Sequence, residues 1–205
     1  MLDIPIDSAN TSAGRVNASG RCESPRFRAR MAGVFYLLTF VTGFASLLFV
    51  NGQIATSLAA SACYLGVTVL FYGLFKPVNK SLSLLAAVFS LLGIISGTLT
   101  LFHVSPIDVN SLGFFGFYCL LIGYLILRST FLPRILGLLM ALGGLGWLTF
   151  FLPALSKQLY PYNMAPGIIG EAALTLWLLA VGLNEQRWKE QDASTASTFS
   201  DMSSR

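Results

Sequence analysis

Six long apolar runs, separated by short breaks of which the second and fourth each carry two basic residues and the first and third no Lys or Arg, leave this chain few ways to fold. The runs lie at about Met31–Val50, Ile54–Phe75, Ser81–Phe102, Asn110–Leu127, Ile135–Leu155 and Pro166–Leu183. Each is close to the roughly 20 residues that an α-helix needs to cross a hydrocarbon core about 30 Å thick. With 205 residues, 55% hydrophobic and 11% charged, the chain departs from the soluble balance, in which about a quarter of residues are charged. A soluble domain of this size has no interior large enough for so much apolar surface, so the bilayer is the expected solvent.

The breaks carry turn and helix-start chemistry. Asn51-Gly52-Gln53 and Pro77-Val78-Asn79 read as tight polar turns, and Pro106, Asp108 and Asn110 part the third run from the fourth. Pro133 and Pro166 stand where a helix begins, a position that tolerates a missing N–H, and Pro153 lies near the end of the fifth run. Lys76 and Lys80 fill the second break, Arg128 and Arg134 the fourth; the first and third have no basic residue. Of the 13 Lys and Arg residues, all but Lys157 then fall on one side of a six-span topology. The positive-inside rule places that side in the cytoplasm. The expected architecture is an all-α polytopic membrane helical bundle of six transmembrane helices with N and C termini cytoplasmic. Residues 1–27 form a polar N-terminal tail expected to be disordered, 28–184 the transmembrane domain, and 185–205 a polar C-terminal tail. The first tail is too long and polar for a signal peptide, and no small-residue cleavage site follows the first apolar run.

A net charge of +4 raises the question of nucleic acid, but the basic residues flank apolar segments and form no stripe interleaved with aromatics. The expected partners are the lipid bilayer and anionic lipid headgroups at the cytoplasmic face, with a membrane protein as a further candidate and no nucleic acid. Interfacial aromatics fit the same frame: Phe35, Tyr36, Phe71 to Phe75, Tyr124 and Trp188 at the inner face, and Trp147, Tyr160 and Tyr162 at the outer.

Glu171 is the strongest local feature, the one ionisable residue well inside a run. A carboxylate at bilayer depth costs on the order of 2.5–3.5 kcal/mol at the centre, so such a residue faces other helices or a cavity. Helical spacing puts Gly167, Glu171 and Thr175 on one face. Matching depths across the bundle makes Ser46, Thr98, Thr100 and Thr149 its candidate partners. The arrangement reads either as a proton- or cation-binding site or as a carboxyl hydrogen-bonded between helices. His103, the sole histidine, and Asp108 are polar candidates at the outer face.

Metal and cofactor sites are not expected. One histidine cannot supply bis-histidine haem ligation, and Cys22, Cys63 and Cys119 are too scattered for a zinc site or a disulfide framework. Enzyme signatures are missing too: there is no GxSxG, HExxH, Walker loop or membrane aspartate pair, so a non-catalytic protein is expected. Gly93 and Gly97, extended by Ser90 and Thr100, form a small-residue seam on the third run, and Gly137, Ala141 and Gly144 form another on the fifth.

The run Arg30-Met-Ala-Gly-Val-Phe-Tyr-Leu-Leu-Thr39 resembles the entry to the first helix of a bacterial multi-pass membrane family known as a domain of unknown function, DUF4386. Lys76-Pro-Val-Asn-Lys80, Phe131-Leu-Pro-Arg-Ile-Leu-Gly137 and Gly170-Glu171 with Leu174, Leu176, Trp177 and Leu178 are similar to the same family. The likeness spans about residues 28 to 184. It implies a helical integral protein of the bacterial inner membrane and says nothing of chemistry. It also implies a charged position midway along the third helix, where this chain has Ser90 and Gly93, so a polar site shared by that family is incomplete here.

Two functions remain in play. The first is a non-catalytic membrane-embedded interaction or accessory protein, supported by the missing catalytic constellations and sparse intramembrane polarity. The alternative is a small-solute or proton-coupled transporter that uses Glu171. A water-accessible cavity reaching Glu171 favours transport, and a dry carboxyl bonded to Thr or Ser favours structure.

Overall fold

The computed structural model describes residues 24–48, 52–104 and 110–203. All regular structure among them is helical. Six helices are long and apolar enough to cross a membrane: α1 (Pro25–Leu48), α2 (Gln53–Phe75), α3 (Lys80–Leu101), α4 (Ser111–Arg128), α5 (Arg134–Leu148, with a 3-10 extension to Phe151) and α7 (Ala165–Ala180, preceded by a 3-10 turn from Tyr162). Between α5 and α7 lies a short helix, α6 (Pro153–Leu159), and a polar helix, α8 (Glu185–Ser203), follows α7.

The spans agree with the apolar runs, and their ends differ for physical reasons. α1 starts at Pro25 rather than Met31, because Arg26, Arg28 and Arg30 sit in its first turns, where long cationic side chains can reach the headgroup layer. The fifth span stops short of Leu155: the backbone tightens into a 3-10 turn at Thr149–Phe151, and Pro153 opens α6. The polar C-terminal segment is helical, so its polarity reflects exposure rather than lack of structure. Residues 1–23, Asn51 of the first break, Pro106 and Asp108 lie outside the described residues.

Among the described residues, four helix starts carry side-chain caps: Ser24 accepts from Phe27 N and Asn184 from Arg187 N, each at 3.2 Å, and two asparagines do the same for α3 and α4. The Asn79 side chain accepts from Leu82 N at 3.0 Å, and that of Asn110 from Leu112 N at 3.0 Å. At the far end of α3, His103 adopts a left-handed φ of 56°. There His103 N donates to Thr100 O and Val104 N to Leu99 O, the paired bonds that close a helix in a Schellman motif.

The spans close into a ring. α1 packs on α2, α2 on α3, α3 on α4, α4 on α5 and α5 on α7, and α7 returns to α1. Each helix turns one stripe inward at helical spacing: Ala29, Ala32, Gly33 and Tyr36 on α1; Tyr64, Val67, Thr68 and Phe71 on α2; Gly167, Gly170, Glu171, Leu174 and Leu178 on α7. The outward faces carry Val41, Phe44, Leu47, Val69, Leu145 and Leu176, each more than half exposed. An apolar belt of that kind is tolerable only against lipid.

The tightest seam is α4 against α5, where small residues replace side chains. A Cβ on Gly123 would lie 2.8 Å from Gly137 O and Ala141 N, and one on Gly116 would lie 2.8 Å from Leu148 N. The expected Gly137, Ala141 and Gly144 stripe is therefore one wall of this seam, and Gly116 and Gly123 are the other. The stripe on α3 is used differently. Gly93 makes room for the Phe115 ring and Ser90 Oγ lies 2.6 Å from Thr68 Oγ1, whereas Thr100 points out of the bundle.

α8 lies across one end of the ring. Trp188 Nε1 donates to Leu74 O (2.9 Å), Thr195 Oγ1 to Pro77 O (2.8 Å) and Arg187 to Thr130 O (3.3 Å). The start of α1 and the basic residues Arg26, Lys76, Lys80, Arg128 and Arg134 share this end, while Lys157 on α6 is at the other.

Candidate functional site

Glu171 faces the middle of the ring. It is 8% exposed and meets side chains from two neighbouring helices. Trp147 Nε1, at the end of α5, donates to its Oε1 at 3.0 Å, and Cys119 Sγ, on α4, donates to the same oxygen at 3.3 Å. Gly167 makes the indole's position possible, because a Cβ there would run into the Trp147 ring. The Tyr36 hydroxyl lies beside the carboxyl, outside hydrogen-bond geometry.

Around this carboxyl stands a cluster of tyrosines. Tyr36 and Tyr64 meet edge to face with centroids 5.6 Å apart, and Tyr64 and Tyr118 at 5.8 Å. Tyr64 also packs edge to face on Phe115 at 4.8 Å. The hydroxyls of Tyr36, Tyr64 and Tyr118 are all buried without a hydrogen-bond partner.

A cavity of about 240 Å³ opens beside them. All six spans line it: Thr39 from α1, Ala60, Ser61 and Tyr64 from α2, Gly93, Ile94 and Gly97 from α3, Leu112 and Phe115 from α4, Trp147 from α5 and Glu171 from α7. These residues lie toward the end of the bundle opposite α8, in the halves of the helices nearest the α1–α2 and α3–α4 connections. The volume is somewhat below the roughly 300–1,000 Å³ of pockets for drug-sized ligands, so it suits a smaller molecule.

The expected partners of Glu171 sit elsewhere. Ser46 Oγ donates to Gly43 O, Thr98 Oγ1 to Ile94 O, Thr100 Oγ1 to Ser96 O and Thr149 Oγ1 to Gly146 O. Each hydroxyl turns back onto its own helix, as helical Ser and Thr commonly do. Thr149 also accepts from Asn163 Nδ2 at 2.9 Å. Thr175 is buried next to the site, but its hydroxyl donates to the Glu171 backbone carbonyl at 2.7 Å rather than to the carboxyl. His103 is exposed at the end of α3, and Asp108 lies outside the described residues, so the structure brings no pair together there.

Four aromatic assignments also change. Tyr36 is 0% exposed and Trp147 7%, so neither belongs to an interfacial belt, and Phe71 and Phe75 are core residues. The earlier start of α1 moves Tyr36 to mid-helix, and the ring geometry turns Trp147 inward. Sequence reasoning missed Trp147, Cys119, Tyr36, Tyr64 and Tyr118 as neighbours of the carboxyl. The available signal was the recurrence of Tyr64, Val67, Thr68 and Phe71 on one face of α2, which marks it as inward.

Fold and site together define a polytopic helical membrane bundle with one carboxyl held in an aromatic-lined cavity inside the ring, toward the end opposite α8. Residues 107–182 match the family described as Domain of unknown function (DUF4386), the one this sequence resembles. That stretch contains Cys119, Trp147 and Glu171. The chain is also 28% identical over 122 residues to an uncharacterized protein of Archaeoglobus fulgidus, an alignment covering 57% of this chain and 75% of the relative. No solved structure matches.

Proposed function

We propose that this chain is a membrane-embedded carrier of a small solute, with Glu171 as the group that binds the solute or the proton exchanged for it. The observation that carries this reading is the cavity reaching Glu171, lined from all six spans. In such a ring, small movements of any helix alter access to the carboxyl, the kind of arrangement alternating access requires. The carrier is non-catalytic and lies in the cell membrane with both termini in the cytoplasm. Support for that orientation comes from the basic residues gathered at the α8 end. Those residues engage anionic headgroups. The bacterial origin that the resemblance implies is joined by an archaeal relative.

Proteoliposomes under an imposed pH gradient test the reading. Proton flux in the wild type that vanishes in Glu171→Gln supports it, and absence of flux in both counts against it.

A second reading rests on a separate observation. Glu171 Oε1 already receives Trp147 and Cys119, so the carboxyl also serves as a clasp between α4, α5 and α7. On that reading the chain is an accessory protein whose partners are lipids and other membrane proteins. It predicts a stability loss in Glu171→Leu with no flux in the wild type.

A further inference from the structure

We infer that the cavity takes a small organic cation, a quaternary or tertiary ammonium with an apolar body. The inference rests on the solute-binding reading above and adds the chemical class.

The lining decides the class by elimination. Among the described residues Glu171 is the one ionisable carboxyl on the cavity wall, and neither Lys nor Arg lines it. An anion would find no countercharge and would face a carboxyl. A bare divalent ion would find one carboxyl where hard cations take six or more oxygens. A wholly apolar guest would give nothing to the second oxygen of Glu171 or to the Tyr64 hydroxyl, on two side chains more than nine-tenths buried. An ammonium answers them together. Its charge pairs with Glu171, whose Oε1 is engaged by Trp147 and Cys119, leaving Oε2 for a guest. Its alkyl groups lie against Ile94, Leu112 and the small residues Gly93 and Gly97.

The aromatic walls supply the rest. Tyr64, Phe115 and Trp147 border the cavity on different helices, and Tyr64 and Phe115 hold each other edge to face at 4.8 Å. Aromatic rings around a carboxylate are the recurring solution for quaternary ammonium groups, because ring faces attract a cation that cannot donate hydrogen bonds. The buried, unpartnered hydroxyl of Tyr64 offers an oxygen to a hydroxyl or N–H carried by the guest.

The test is calorimetric titration of the full-length protein in lipid nanodiscs with choline, tetraethylammonium and benzyltrimethylammonium, set beside 3,3-dimethylbutan-1-ol. That alcohol has the shape of choline with carbon in place of nitrogen. At least one cation should bind. Choline should bind at least about tenfold tighter than the alcohol, and Glu171→Gln should remove that preference. Equal affinity for choline and the alcohol overturns the cation class and leaves solute binding standing. Failure of all three cations, with Glu171-dependent proton flux intact, also overturns the class and spares the carrier. Failure of the cations together with absence of flux removes both. The choline–alcohol comparison is made on the wild type, so it does not depend on the variant folding.

Discussion

Replacing Glu171 by Leu strands a donor in a place with nothing else to receive it. Trp147 is 7% exposed and its indole N–H has the Glu171 carboxyl as its acceptor. A buried donor left unsatisfied costs about 1–3 kcal/mol. The Cys119 thiol, a weak donor, adds little. Leucine refills most of the space, so Glu171→Leu should lower stability by about 1–3 kcal/mol. Glu171→Gln keeps an acceptor oxygen and should stay close to wild type. The bond itself is isolated by a double-mutant cycle with Trp147→Phe. In the double variant both partners are gone and only the weak Cys119 thiol lacks its acceptor, so its loss should fall short of the summed single losses by about 1–2 kcal/mol. Unfolding by SDS in mixed micelles, followed by far-ultraviolet circular dichroism, reads all four proteins without relying on tryptophan emission. Additivity within about 0.5 kcal/mol would show that Trp147 and Glu171 do not share the bond described.

Gly167→Ala should act on the same bond from the other side, since the new methyl collides with the indole; loss of stability and of solute binding together is expected, measured in the same micelles and nanodiscs. At the α4–α5 seam Gly123→Ala should destabilise by about 1–2 kcal/mol, because its Cβ meets backbone that cannot give way, and equal melting temperatures would refute the contact. Gly43→Ala, with nothing within 4 Å of the new Cβ, should be neutral or mildly stabilising in the same melt. Trp188→Phe removes the bond to Leu74 O and should raise hydrogen exchange in α8 while leaving the ring protected.

The spans were legible because hydrocarbon thickness fixes their length, and basic residues punctuate every second break. Their ends were less so: hydropathy alone ran the fifth span through Phe151 to Leu155, since a 3-10 turn and a new helix are as apolar there as a continuing one. Glu171 was legible as an isolated carboxyl. Its partners were not, because counting residues gives depth in the bilayer and leaves open which way a side chain points around the helix. Thr98 and Ser46 were matched by depth, yet their hydroxyls bond to carbonyls of their own helices. Trp147 and Cys119 lie in apolar runs, where nothing in the pattern marks a bond to the carboxyl, although each has one proton to donate.

The contact between α1 and α7 has a consequence in time. Chains are made from the N-terminus, so the helix that closes the ring is the last of its walls to arrive. Until α7 is released, the wall between α5 and α1 is missing, and Trp147 and Cys119 have no Glu171 carboxyl to receive their protons. Assembly of the bundle and completion of the site are the same event.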